Sequence, residues 1–211
     1  GTQQFLGDQL PGSNMDFLYG RRWMDVSSMD KGVQLMLLES PIIEPETMID
    51  ERFMINQSHK EWKKNAKPTS TWFSYVMNNY WHTNFKIDQD GINRSKYVLR
   101  PHGMFSYWET EIKGTEIAQP LMAIPVNDTS AFSSGLFELG NDHIVVTSIT
   151  SRQDGGFLIR LFNPEPMVQQ TNFVWKSLQP ELLIKKATGE KLNKSANLVM
   201  AAMGVDEIII K

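Results

Sequence analysis

The side chains best suited to chemistry gather in one block, Tyr75-Val76-Met77-Asn78-Asn79-Tyr80-Trp81-His82-Thr83-Asn84-Phe85, where aromatic rings are interleaved with amides. An aromatic ring packs on the apolar face of a pyranose, while Asn and His side chains hold its hydroxyls by hydrogen bonds. Asn78, Asn79, Tyr80, Trp81, His82 and Asn84 are therefore the candidate carbohydrate-binding residues. The same stretch also suits a core, with Tyr75, Tyr80 and Phe85 inside a sandwich and Asn78 and Asn79 in turns. For any single residue of the block, burial preferences favour that second reading.

Hydrolysis of a glycoside needs two carboxyl groups facing each other across the scissile bond, roughly 5 to 5.5 Å apart in a retaining enzyme. Asp88 and Asp90 are close in sequence, but they sit in Asp88-Gln89-Asp90-Gly91, where such side chains bond the local backbone. His59, His82, His102 and His143 show neither the paired spacing of a helical zinc site nor a cysteine partner. A Gly-rich phosphate loop and a Gly-x-Ser-x-Gly elbow are also missing. No catalytic residue, metal ligand or cofactor is expected in this chain.

The net charge of −3 is spread over scattered Lys, Arg, Asp and Glu, which gives no field for a polyanion and excludes nucleic acid as a partner. The chain contains no cysteine, so disulfides, thiol catalysis and thiolate metal sites are excluded, although a secreted protein need not contain cysteine and compartment is not indicated. No apolar run approaches the roughly 20 residues that span a bilayer, so no membrane partner is expected. Gly1-Thr2-Gln3-Gln4 is not a signal peptide, and a start without Met is expected of a trimmed piece of something longer.

The elements that must position these residues read as strands. Segments rich in β-branched and aromatic residues recur between turn signals, the pattern of an all-β sandwich. Arg21-Arg22-Trp23-Met24-Asp25-Val26 and Gly32-Val33-Gln34-Leu35-Met36-Leu37-Leu38 predict a hairpin about Ser27-Ser28-Met29-Asp30-Lys31. A second hairpin is predicted from residues 143–149 and 157–162 around Gln153-Asp154-Gly155-Gly156. Further strands are expected at residues 95–100, 173–175 and 206–210, and a short helix over 107–119. Residues 41–70, with Pro41, Pro45 and Pro68, read as a long surface excursion. With 211 residues and 41% hydrophobic side chains, one sandwich domain over residues 1–211 is the expected organisation.

Several motifs occur in an order that resembles the C-terminal region of family 38 glycoside hydrolases, the α-mannosidase family. Trp23-Met24-Asp25-Val26-Ser27 followed by Gly32-Val33 is similar to its "W-x-D-V-S … G-V" hairpin, and Ser40-Pro41-Ile42-Ile43-Glu44 to the segment that follows. Asn78-Asn79-Tyr80-Trp81-His82-Thr83-Asn84-Phe85 with Asp88-Gln89-Asp90-Gly91 is similar to its most recognisable block. Arg100-Pro101-His102-Gly103, Gln119-Pro120-Leu121 and Ile159-Arg160-Leu161-Phe162-Asn163-Pro164 continue the order.

The resemblance implies a galactose-mutarotase-like supersandwich of antiparallel sheets that packs against an N-terminal catalytic domain of the same polypeptide. The family's Asp nucleophile and most of its zinc ligands belong to that domain, so zinc is expected there and not in this chain. The implied function is the non-catalytic portion of a retaining α-mannosidase, supporting the cleft, with residues 78–84 contacting a mannose-containing glycan. The alternatives are a free-standing carbohydrate-binding module and a purely structural sandwich.

Overall fold

The computed structural model describes residues 4–46, 67–77, 88–125, 127 and 135–211. The described residues form fifteen strands, every pairing antiparallel, and one α-helix. This is the all-β class expected from the strand spacing. Contacts divide the chain into two compact units.

The first unit comprises Gln3–Ser106 and Lys113–Pro120. Its six strands are β1 (Leu18–Tyr19), β2 (Trp23–Ser27), β3 (Gly32–Leu37), β4 (Ile42–Pro45), β5 (Trp72–Ser74) and β6 (Tyr97–His102), in two sheets of order β1-β4-β5 and β2-β3-β6. The predicted first hairpin is β2–β3, in register from Trp23↔Met36 to Ser27↔Gly32. Its turn is closed by Ser28, whose amide donates to the Lys31 carbonyl at 2.8 Å and whose hydroxyl donates to Asp30 Oδ1 at 2.8 Å. β6 adds on the other side of β3, and as an edge strand it tolerates Pro101, which has no amide hydrogen for a further ladder.

Met24, Leu37 and Ile43 are buried together, with Leu18, Leu35, Trp72 and Tyr97 packed around them. Ile43, Glu44 and Pro45 are all buried and β4 lies at the centre of its sheet. Residues 43–45 are therefore core, with Ile42 exposed at the start of the strand, and they do not belong to a surface excursion; the two prolines flanking Ile42-Ile43-Glu44 mask a strand only four residues long.

The helix α1 (Tyr107–Ala118) divides between the units. Its second half belongs to the first unit, where Gly114 lies against the Trp23 indole so closely that a Cβ would stand 2.5 Å from Cδ1. Arg22 Nη1 donates to Thr115 Oγ1 at 2.9 Å on the same face.

The second unit comprises the first half of α1, Tyr107–Ile112, and Leu121–Lys211. It holds β7 (Phe137–Leu139), β8 (Val145–Ser151), β9 (Phe157–Phe162), β10 (Gln169–Thr171), β11 (Phe173–Trp175), β12 (Leu183–Lys185), β13 (Glu190–Leu192), β14 (Leu198–Met200) and β15 (Val205–Ile210). The five-stranded sheet runs β13-β12-β15-β9-β8, and β10-β14 and β11-β7 form two ribbons. The second predicted hairpin is β8–β9, with a bulge between Val146 and Ser148.

Alternation places Ile159 and Leu161 of β9, Ile208 and Ile210 of β15 and Leu183 of β12 on one face, where all are at most 2% exposed. The opposite face carries Glu207, gripped by Arg160 at 2.5 Å and Lys186 at 2.6 Å. A packed face and a more exposed face bearing ion pairs is the expected division for an antiparallel sheet covered on one side. Phe137, Phe173 and Trp175 extend the core as an aromatic cluster, with Phe173 and Trp175 stacked at 4.7 Å.

Candidate functional site

Asn78, Asn79, Tyr80, Trp81, His82 and Asn84 lie outside the described residues, as does His59. The chain on either side of that block is described. Tyr75 packs edge-on against Phe17 at 5.3 Å, and its phenol is held above the usual tyrosine value by burial and by the nearby Glu44 carboxylate. The Tyr97 hydroxyl meets Ser74 Oγ at 2.6 Å. Burial pushes that phenol up, but hydrogen bonds with Ser74, Ser40 and Ser95 outweigh it and leave the group below its ordinary value. Asp88 and Asp90 are exposed in irregular chain ahead of Gly91, whose φ of +110° is one that glycine adopts freely.

Two of the motifs, far apart in sequence, converge on β2-β3-β6. His102 Nε2 stands 2.6 Å from Asp25 Oδ2, Ser27 Oγ bonds the other Asp25 oxygen, and His102 Nδ1 lies 2.9 Å from the Gly103 carbonyl. Gly32 sits between them in the register, and a Cβ there would fall 2.3 Å from Ser27 Oγ and 2.6 Å from His102 Cε1. The His102 and Asp25 side chains are only 5% and 6% exposed. With Ser27, itself exposed, bonded to Asp25, the arrangement holds three strands in register.

The second unit contains an open groove of about 370 Å³, lined by Trp108 and Ile112 from α1, Glu138 and Leu139 from β7, and Asn141, Asp142 and Ile144 from the loop into β8. Trp108 and Ile112 are one helical turn apart and so face the same way. The Trp108 indole stacks on the His143 imidazole at 5.5 Å with 23° between planes, and His143 Nδ1 is 3.0 Å from Glu165 Oε1.

Asn141 fixes the loop. Its Oδ1 accepts from the His143 amide at 2.9 Å, and its Nδ2 donates to Gln169 Oε1 at 3.0 Å and the Gln170 carbonyl at 2.9 Å. None of these residues stands out in sequence. The only local signal is the polar run Asn141-Asp142-His143 between Gly140 and the apolar start of β8, and the partner Trp108 lies 33 positions before Asn141.

Among the described residues no three His, Asp or Glu side chains gather closely enough to hold a metal ion. No described helix is long and apolar enough to cross a membrane.

No family model matches the chain, and no curated protein sequence matches it. Among solved structures, the chain is similar to an α-mannosidase from Enterococcus faecalis V583, with a TM-score of 0.57 and 12% sequence identity. The match covers 94% of this chain and 22% of that protein, so the chain spans about a fifth of its length. At that identity the likeness is one of fold: nearly the whole chain follows the path of one part of a larger α-mannosidase.

Proposed function

We propose that this chain is the non-catalytic β portion of a retaining α-mannosidase of glycoside hydrolase family 38, supporting the cleft of an N-terminal catalytic domain in the same polypeptide. The observation that carries the reading is the match of 94% of the chain to part of an α-mannosidase of which it covers 22%. The ordered motifs of the sequence point the same way, and two of them supply Asp25, Ser27, Gly32 and His102 to one polar cluster. Further support comes from the β3–β6 surface, where Val33 is 41% and Leu99 68% exposed, an apolar face suited to another domain.

In this reading zinc and the nucleophile reside in the catalytic domain, and residues 78–84 reach the rim of its cleft to touch a mannose-containing glycan. The test is hydrolysis of 4-nitrophenyl α-mannopyranoside by the full-length natural gene product. Zinc-dependent turnover, with several hundred residues encoded upstream, is expected. A natural product consisting of this chain alone, or a longer one without α-mannosidase activity, overturns the reading. For the rim contact, Trp81→Ala and His82→Ala in the full-length protein should raise KM; unchanged kinetics at unchanged thermal stability removes both residues from the cleft.

A further inference from the structure

We propose that the groove beside Trp108 is a carbohydrate site in its own right, built from residues other than 78–84 and shaped for one pyranose ring. Its volume of about 370 Å³ lies at the small end of ligand sites, which run from roughly 300 to 1,000 Å³. Ile112, Leu139 and Ile144 give it an apolar floor and Trp108 an aromatic wall, the surfaces that pack against the C–H face of a sugar.

The rim supplies acceptors. Asp142 is exposed and forms no hydrogen bond or ion pair with the described residues, while Glu138 is held only by Lys176 at 3.3 Å, with both side chains exposed. Carboxylates are pure acceptors and pyranose hydroxyls are donors, so the two are complementary. A cation is the competing occupant, but exposed ion pairs contribute little and one of the two charges is already met by Lys176. The apolar floor adds nothing for a cation, whereas it desolvates well against a sugar face.

The loop is also set in advance. Every polar atom of the Asn141 side chain is bonded to the chain around it, and the Glu165 contact orients the imidazole that backs the Trp108 ring. A ligand then meets walls that need little ordering. The Trp108 Nε1–H is shielded from solvent with no acceptor among the described residues.

The test is calorimetric titration of the full-length protein with methyl α-mannopyranoside, methyl β-glucopyranoside and methyl β-galactopyranoside, comparing wild type with Asp142→Asn, Glu138→Gln and Trp108→Ala. The two carboxylate variants change exposed side chains and serve if Trp108→Ala fails to fold. At least one glycoside should bind with an affinity that Asp142→Asn weakens about fivefold, the loss of one hydrogen bond. Identical binding by wild type and all folded variants, or no glycoside binding at all, overturns the site. So does Asp142-dependent binding of tetramethylammonium without binding of any glycoside. Because the readout is the difference between wild type and variant, it is separate from mannoside hydrolysis, whose loss bears only on the mannosidase reading.

Discussion

His102 Nε2 and Asp25 Oδ2 stand 2.6 Å apart across the central strand of a three-stranded sheet, and they meet there because the residue between them, Gly32, has no side chain. The two flanking strands are thereby tied over the middle one. Removing the imidazole by His102→Ala leaves a buried carboxylate and should cost about 3 kcal/mol of stability, read by chemical denaturation. Gly32→Ala forces a methyl into Ser27 Oγ and His102 and should cost about 1–3 kcal/mol. The double variant should cost less than the sum of the two single costs, because the first substitution has removed one of the groups that the new methyl strikes.

Asn163 is fully buried, with Nδ2 donating to the Met167 and Ala201 carbonyls, each at 2.8 Å, while Oδ1 accepts from the Glu165 amide at 3.0 Å. Asn163→Asp would set a carboxylate against those carbonyls. Its charged form is disfavoured in the folded state, so its folded pKa rises above the unfolded value near 3.9. The penalty therefore grows as pH rises. The variant should lose at least about 2 kcal/mol at pH 7 and less at pH 4, measured by urea unfolding at both values.

Two adjacent glycines in the β8–β9 turn should respond differently to the same substitution. Gly155 has φ +89° and open space where a Cβ would go, so Gly155→Ala should cost only the left-handed strain of about 1 kcal/mol. Gly156 has φ +77° and a Cβ there would stand 1.9 Å from the Ile210 carbonyl oxygen. That neighbour is backbone and cannot rotate away, so Gly156→Ala should cost about 3 kcal/mol or more by strain and overlap together. Equal shifts in thermal midpoint would contradict this distinction.

Asp154 accepts both nitrogens of the Arg152 fork at 2.8 Å and has Lys211 Nζ at 3.2 Å, and hydrogen bonds from Arg152 and then Lys211 bring its carboxyl down to about 2 from 3.8. A depressed folded pKa contributes stability that is present above 3.8 and lost as pH falls through about 2. Asp154→Asn should therefore be less stable than wild type at pH 6, with the difference closing between pH 4 and 2. The difference at pH 6 should also shrink in 1 M NaCl, since the group is exposed and screened.

The Trp23-to-Leu37 and Val145-to-Phe162 hairpins were legible in sequence because their cues are local: turn residues between two runs with strand character. The helix expected over 107–119 matches α1 to within a residue at each end. Residues 42–45 were misread because proline is a strong breaker signal, and its cost vanishes at a strand end or edge, which no local pattern reveals. Strands of three residues, such as β10, β12, β13 and β14, are too short to show a period.

By itself, then, the amino-acid sequence determined the all-β character, the two hairpins, the helix, and the motif order behind the mannosidase reading. Tertiary structure alone decided which distant segments meet. β15, the last strand of the chain, enters the sheet between β9 and β12, and His102 finds Asp25 across 77 positions. Likewise Trp108 of the helix and Asp142 of a loop come to line one groove. Turn and strand preferences act over a few neighbours, whereas these pairings are selected by the burial of whole faces such as Ile159, Leu161, Ile208 and Ile210.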